Sequence, residues 1–253
     1  MAIKKTLQKF LNFKNDSPSL TVVGVGPGDC SLLTIAAVQA IKKAKVIVFP
    51  ISSDDKKSTA AEIVKEYIKF KRKIPIIFPM ARQEFDPDEI WSNAVDVIVK
   101  SIVNNESVVL LCLGDTSLYA SSSNILRIIK NNYPEIIINN IPGISSISAA
   151  AALSNFNLAK KGETLIIKEC PSNKQELIDL ISIYREKKTV LVLMKVGKRW
   201  EWVKNLLKKE DIINKSVIAL NVGMPDQIVR EVSKFNMNKV PYFSLLLMRL
   251  DDD

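Results

Sequence analysis

The stretch Val108-Val109-Leu110-Leu111-Cys112-Leu113-Gly114-Asp115-Thr116-Ser117-Leu118-Tyr119 decides the fold. An aliphatic, partly β-branched run that stops at Gly-Asp predicts a buried parallel strand whose loop leaves the sheet at its carboxyl end. In open α/β sheets, ligands sit outside that end. By itself the stretch reads first as a core strand with a turn, so any functional meaning has to come from its neighbours.

Upstream, Leu20-Thr-Val-Val-Gly-Val-Gly-Pro-Gly-Asp29 predicts a short strand breaking into a glycine loop. Ser31 to Ala44 follows with helical apolar spacing and Lys in its last turn, and Lys45 to Pro50 is a second strand. A dinucleotide fingerprint is not met, because Pro27 interrupts Gly24, Gly26 and Gly28 and Asp29 stands where its third glycine belongs. Such a loop, stiffened by Pro27 and nearly free of side chains, lets backbone amides approach a ligand.

Ser58 to Phe70 predicts a helix, and the prolines of Ile74-Pro-Ile-Ile-Phe-Pro79 place that extended segment away from the sheet centre. Asp86-Pro-Asp-Glu89 opens a helix running through Trp91 and Ile102, with Trp91 as a core anchor. Downstream of Tyr119, a helix through Ile125 and Ile129 precedes the strand Ile136 to Ile141. The turn Pro142-Gly-Ile-Ser-Ser146 then leads into an Ala-rich helix, Ser148 to Leu153. Ser145 or Ser146 suits the N-cap, and free amides there equally suit an anion such as a carboxylate.

Strands over 164–168, 189–194, 216–221 and 242–248, with 227–232 as a further candidate, give the second half a mixed sheet. The expected organisation is an N-terminal arm (1–18), an α/β domain over 19–125 and a second over 126–253; the composition changes near residue 155, and the boundary is expected broadly between 120 and 160. Asp251 to Asp253 reads as a solvated tail.

Composition narrows the chemistry. A chain of 253 residues that is 47% hydrophobic suits a folded enzyme of two modest domains. No apolar run approaches the ~18 residues of a membrane span, and no secretory signal is evident, so a cytoplasmic location is expected. The chain has no histidine, which removes Ser-His-Asp and Cys-His systems and histidine metal sites. Cys30, Cys112 and Cys170 lie far apart, which argues against zinc and a disulfide framework. A formal charge of +9 is compatible with nucleic acid, an anionic surface or a carboxylate-rich small substrate, yet the basic residues are dispersed, which weakens the first.

Three features stand in order: a strand followed by Gly24-Val-Gly-Pro-Gly-Asp29, a strand followed by Leu113-Gly-Asp115, and Ile141-Pro-Gly-Ile-Ser-Ser146. Together they resemble the tetrapyrrole (corrin/porphyrin) methylases over nearly the whole chain after residue 19. Phe78-Pro-Met80, the helix with Trp91, Leu113 to Tyr119 and Pro241-Tyr-Phe-Ser-Leu245 are similar to the precorrin-2 C20-methyltransferase branch. The resemblance implies two α/β domains with S-adenosylmethionine in the cleft between them, a tetrapyrrole substrate and a homodimer, without nucleic acid, membrane or metal.

Carried over by position, the resemblance assigns Pro27, Leu113, Gly114, Asp115, Leu118, Ser145, Ser146, Met194 and Val222 to the cofactor. It assigns Gly26, Gly28, Asp29 and Tyr119 to the substrate, and no catalytic residue. Thr116 departs from the family, in which proline usually follows Gly-Asp; threonine adds an amide donor and frees φ. Alternatives are another tetrapyrrole methylase, such as a uroporphyrinogen III C-methyltransferase, a relative acting on ribosomal RNA or diphthamide, and, in a different class, a non-catalytic module binding nucleic acid or an anionic surface.

Overall fold

The computed structural model describes residues 19–51, 57–77, 87–104 and 106–251. The N-terminal arm, Phe78-Pro-Met80 and Asp86 lie outside them. The chain divides into two compact units, Met1–Ser145 and Ser146–Asp253. The strand ending at Ile141 pairs with the first strand of the chain and so belongs to the first unit.

The first unit is built on β1 (Ser19–Gly24), β2 (Val46–Ile51), β3 (Arg72–Ile77), β4 (Val108–Cys112) and β5 (Ile137–Ile141), all parallel, in the order β3-β2-β4-β1-β5. β4 is the central strand and all five of its residues are buried. Its alternation feeds two cores. Val108, Leu110 and Cys112 pack with Trp91, Val95 and Ile98 of α4 (Pro87–Val103) and Ile125 and Ile129 of α5 (Ser123–Asn132). Val109 and Leu111 pack with Ala37 and Ile41 of α1 (Ile35–Lys43). A strand buried on both faces has no polar side to alternate with, which is why its sequence is a continuous apolar run. Of the two prolines of the 74–79 segment, Pro75 lies in β3, the outer strand, and Pro79 lies outside the described residues.

Several helix boundaries differ from expectation: the Ala-rich helix begins at Ser146 instead of Ser148, and two others have a visible local cause. α1 begins at Ile35 instead of Ser31, since the Thr34 side chain accepts from the Ala37 amide at 3.1 Å and caps the helix there. The 58–70 helix is two short ones, α2 (Thr59–Ile63) and α3 (Lys65–Ile68), broken at Val64, where φ is −106° and ψ is 13°.

The second unit carries β6 (Thr164–Glu169), β7 (Thr189–Met194), β8 (Ser216–Leu220), β9 (Ile228–Glu231) and β10 (Ser244–Arg249) in the order β6-β7-β10-β8-β9. β6 and β7 are parallel, whereas β10 is antiparallel to β7 and β8, and β9 to β8. Its helices are the Ala-rich α6 (Ser146–Leu153), α7 (Lys174–Tyr184) and α8 (Trp200–Lys209). α7 and α8 cover one face through Leu177, Ile181, Trp200, Val203 and Leu207.

Asp251 is no part of a solvated tail. It is buried, its carbonyl accepts from Lys215 Nζ at 2.8 Å, and Arg249 from β10 pairs with Glu163 at 2.6 Å. The same guanidinium donates to the Asn157 carbonyl at 3.1 Å, fastening the 157–163 connector to the final strand. No helix among the described residues is long and apolar enough to cross a membrane.

Candidate functional site

The chain leaves β1 toward β2 on one side and leaves β4 toward β5 on the other, so the carboxyl ends of these neighbouring strands form a topological switch point. Both departing loops are bound to each other. Gly26 donates to the Gly114 carbonyl at 3.2 Å, Gly114 to the Gly26 carbonyl at 2.8 Å, and Val25 to the Cys112 carbonyl at 2.9 Å. The loop after β5 joins them from the other side of β1.

Glycine is required here by contact. A Cβ on Gly24 would lie 2.5 Å from the Gly143 nitrogen, and one on Gly143 would lie 2.1 Å from the Gly114 carbonyl oxygen. Gly114 is different: its φ is +74°, and a Cβ there would meet nothing within 4 Å. Three backbones therefore stack at this end of the sheet, and the open side belongs to Gly114. Gly24 and Gly143 carry no site role in the sequence reading. Their signal was present in a glycine ending one strand and another following Ile141-Pro142, but their mutual contact was not.

Asp115 ties two of these loops together. Its Oδ1 accepts from the Ser117 amide at 2.8 Å and from the Ser117 hydroxyl, and its Oδ2 accepts from the Gly143 amide at 3.0 Å. Burial pushes the carboxyl up, but the hydrogen bonds from the Ser117 hydroxyl and the amides of Ser117, Gly143 and Thr116 outweigh it and hold the pKa below the ordinary aspartate value.

A depressed carboxylate pKa means the tie contributes stability above the unfolded pKa of ~3.9 and loses it as pH falls through the lower folded value. The Gly143 amide resonance should therefore titrate below about pH 4, and Asp115→Asn should abolish that titration. A Gly143 resonance indifferent to pH in the wild-type chain would remove the tie.

The remaining first-unit assignments have the following positions. Pro27 and Gly26 are buried, Gly28, Leu113 and Leu118 are half-buried, and Tyr119 is exposed with a left-handed φ of +49°. Asp29 is exposed and caps a short turn by accepting from the Ser31 amide at 2.7 Å; that bond holds its carboxyl below the usual range. Ser145 is the last residue of the first unit, and Ser146 opens both α6 and the second unit.

In the second unit, Met194 ends β7 and Val222 lies just past β8, half-buried and buried respectively. Residues 243 and 244 connect these ends. Phe243 accepts from the Asn221 amide at 2.8 Å, the Ser244 carbonyl accepts from Val196 at 3.2 Å, and the Ser244 hydroxyl accepts from Gly197 at 2.8 Å. Ser244 is buried, and its joining role was hidden because only an antiparallel β10 brings it between β7 and β8. Lys195 and Asn221 both take left-handed φ, at +56° and +46°, where each strand ends.

Thiol chemistry is poorly supplied by the buried cysteines: burial pushes Cys112 and Cys170 each up to about 11. The first-unit site is thus chiefly backbone, suited to gripping and orienting a ligand at the switch point.

Comparison with known proteins agrees with that geometry. The family model described as Tetrapyrrole (Corrin/Porphyrin) Methylases matches residues 19–235. The chain is 31% identical over 230 residues to a protein of Methanocaldococcus jannaschii named "Probable cobalt-precorrin-2 C(20)-methyltransferase", covering 90% of this chain and 94% of that one. It is 24% identical to the cobalt-precorrin-2 C(20)-methyltransferase of Salmonella typhimurium, covering 90% and 95%. Among solved structures, a cobalt precorrin-4 methyltransferase superposes with a TM-score of 0.67 at 17% identity, covering 91% of this chain and 94% of that one, which is a likeness of fold. With the match running from β1 to beyond β9, the chain belongs to the tetrapyrrole (corrin/porphyrin) methylases.

Proposed function

We propose that this chain transfers the methyl group of S-adenosylmethionine to C20 of precorrin-2 or its cobalt-containing counterpart during corrin ring synthesis. The observation that carries this reading is the 31% identity to the Methanocaldococcus jannaschii protein, sustained over nine-tenths of both chains. The order of the three glycine-containing motifs and Pro241-Tyr-Phe-Ser-Leu245 support it.

The residues fit the cofactor at Gly114. A positive φ turns the side a Cβ would occupy toward open space, so a ligand can lie directly against the backbone after β4. Bound S-adenosylmethionine supplies a sulfonium methyl already activated for in-line displacement by a ring carbon. The chain's own task is then to align the reactants, an effect that can reach ~7–11 kcal/mol. In this reading Leu113, Gly114, Asp115 and Leu118 form the cofactor track, with Pro27, Ser145 and Ser146 beside it. Met194 and Val222 are retained as second-unit contributors, and Gly26, Gly28, Asp29 and Tyr119 are placed toward the substrate. The +9 charge suits a ring bearing several carboxylates. A cytoplasmic homodimer without a nucleic-acid or membrane partner completes the proposal.

The test is incubation of the purified protein with S-adenosylmethionine and either metal-free or cobalt-loaded precorrin-2, with the product read by mass spectrometry and NMR. One methyl at C20 is expected, and methylation at another ring carbon would move the chain to a different branch. Gly114→Ala should weaken cofactor binding by about tenfold while costing only the ~1–2 kcal/mol of a left-handed L-residue. Undiminished affinity in that variant would count against the track.

A further inference from the structure

We propose that the Asp115 side chain is a positioning residue, which locks the loop after β4 to the loop after β5 and thereby sets the backbone track for the cofactor, and that it is neither the proton acceptor nor the partner of the sulfonium charge. This rests on the reading that Leu113 to Leu118 carry the cofactor.

An ionised carboxylate has about four lone-pair positions. Here the Ser117 amide, the Ser117 hydroxyl and the Gly143 amide draw on most of that capacity. A carboxylate so engaged has little capacity left for a substrate proton, and each of its donors would have to be abandoned for it to take one. The tie also spans 28 residues of chain, so it is not a simple turn cap.

Geometry shows what the tie controls. Gly143 presses against the Gly114 carbonyl so closely that a Cβ there would sit 2.1 Å from that oxygen. The same Gly143 donates its amide to Asp115, one residue beyond Gly114. Oxygen and carboxylate therefore grip Gly143 from successive residues and fix the peptide plane between Gly114 and Asp115. That plane is part of the proposed track.

The experiment measures three quantities on wild type, Asp115→Asn and Ser117→Ala. They are calorimetric affinity for S-adenosylhomocysteine, hydrogen exchange at the Gly143 amide, and the pH profile of methyl transfer at saturating cofactor. In Asp115→Asn, affinity should fall about tenfold or more and Gly143 exchange should quicken, because one acceptor oxygen becomes a donor facing an amide. The pH profile of the saturated rate should keep the acid limb that wild type shows. Ser117→Ala, which removes one hydroxyl, should show the same pattern more weakly and guards against a folding failure of the first variant.

Normal affinity with a rate reduced a hundredfold or more and a lost acid limb would make Asp115 the proton acceptor and overturn the proposal. Normal affinity and an unchanged pH profile with only quickened Gly143 exchange would make it merely structural and overturn it too. If wild type itself did not bind S-adenosylhomocysteine, the cofactor reading would fail, whereas the lock would still be judged by Gly143 exchange.

Discussion

Gly143→Ala should destabilise the first unit by about 3 kcal/mol or more and abolish its ordered loop junction. The added methyl would stand 2.1 Å from the Gly114 carbonyl oxygen and 2.7 Å from the Gly24 carbonyl carbon. Both obstacles are backbone, at the ends of the two central strands, so no rotamer change relieves them. Relief requires the loop after β5 to withdraw, which breaks the 3.0 Å bond from Gly143 to Asp115 as well. The comparison with Gly114→Ala separates the causes, since that methyl meets nothing within 4 Å and costs only backbone strain. Hydrogen exchange across β1, β4 and β5 in both variants checks the difference. Equal protection in Gly143→Ala and wild type would mean the junction opens without cost, and the contact account would be wrong.

What could be read in the sequence follows what periodicity can carry. β4 was legible because a strand buried on both faces leaves an uninterrupted apolar run, and the edge position of β3 because proline cannot donate to a ladder. The start of α1 was not, because Ser31 and Thr34 are both good caps and only the Thr34 to Ala37 bond decides between them. Asp251 misled because three consecutive acidic residues suggest solvent, whereas it is buried and its carbonyl accepts from Lys215, 36 residues away along the chain. For the candidate site, the loops and their order were visible. Their function in assembly was less so. The glycines at and after the end of β1 suggested room for a ligand, yet the space beside Gly24 is occupied by other backbone, whereas Gly114 faces open space. Contacts between glycines so far apart along the chain leave no local pattern. The Asp115 tie to Gly143 is hidden for the same reason.

Trp200→Ala should cost about 3–5 kcal/mol, and the loss should fall on the second unit. Trp200 is 1% exposed, and its ring meets Phe235 edge to face with centroids 5.6 Å apart. Its indole nitrogen donates to the Met237 carbonyl at 2.9 Å. Truncation therefore empties the space under α8 and also leaves a carbonyl without that donor. Trp200→Phe divides the two effects: it keeps most of the apolar volume but strands the carbonyl, for about 1–3 kcal/mol. With two compact units, a single melting temperature would not be a well-defined measure. Amide exchange resolves them, with protection falling in β7, β8 and β10 while β1 and β4 keep theirs. A cost below about 1 kcal/mol would mean that the neighbours close over the vacancy. The functional consequence follows from the chain itself. Trp200 begins the helix that directly succeeds Gly197 and Arg199, so loosening it frees the 195–199 turn that Ser244 holds in place. Met194 immediately precedes that turn. Any role of Met194 toward a cofactor would then weaken with the core, and Trp200→Phe should retain more of it than Trp200→Ala.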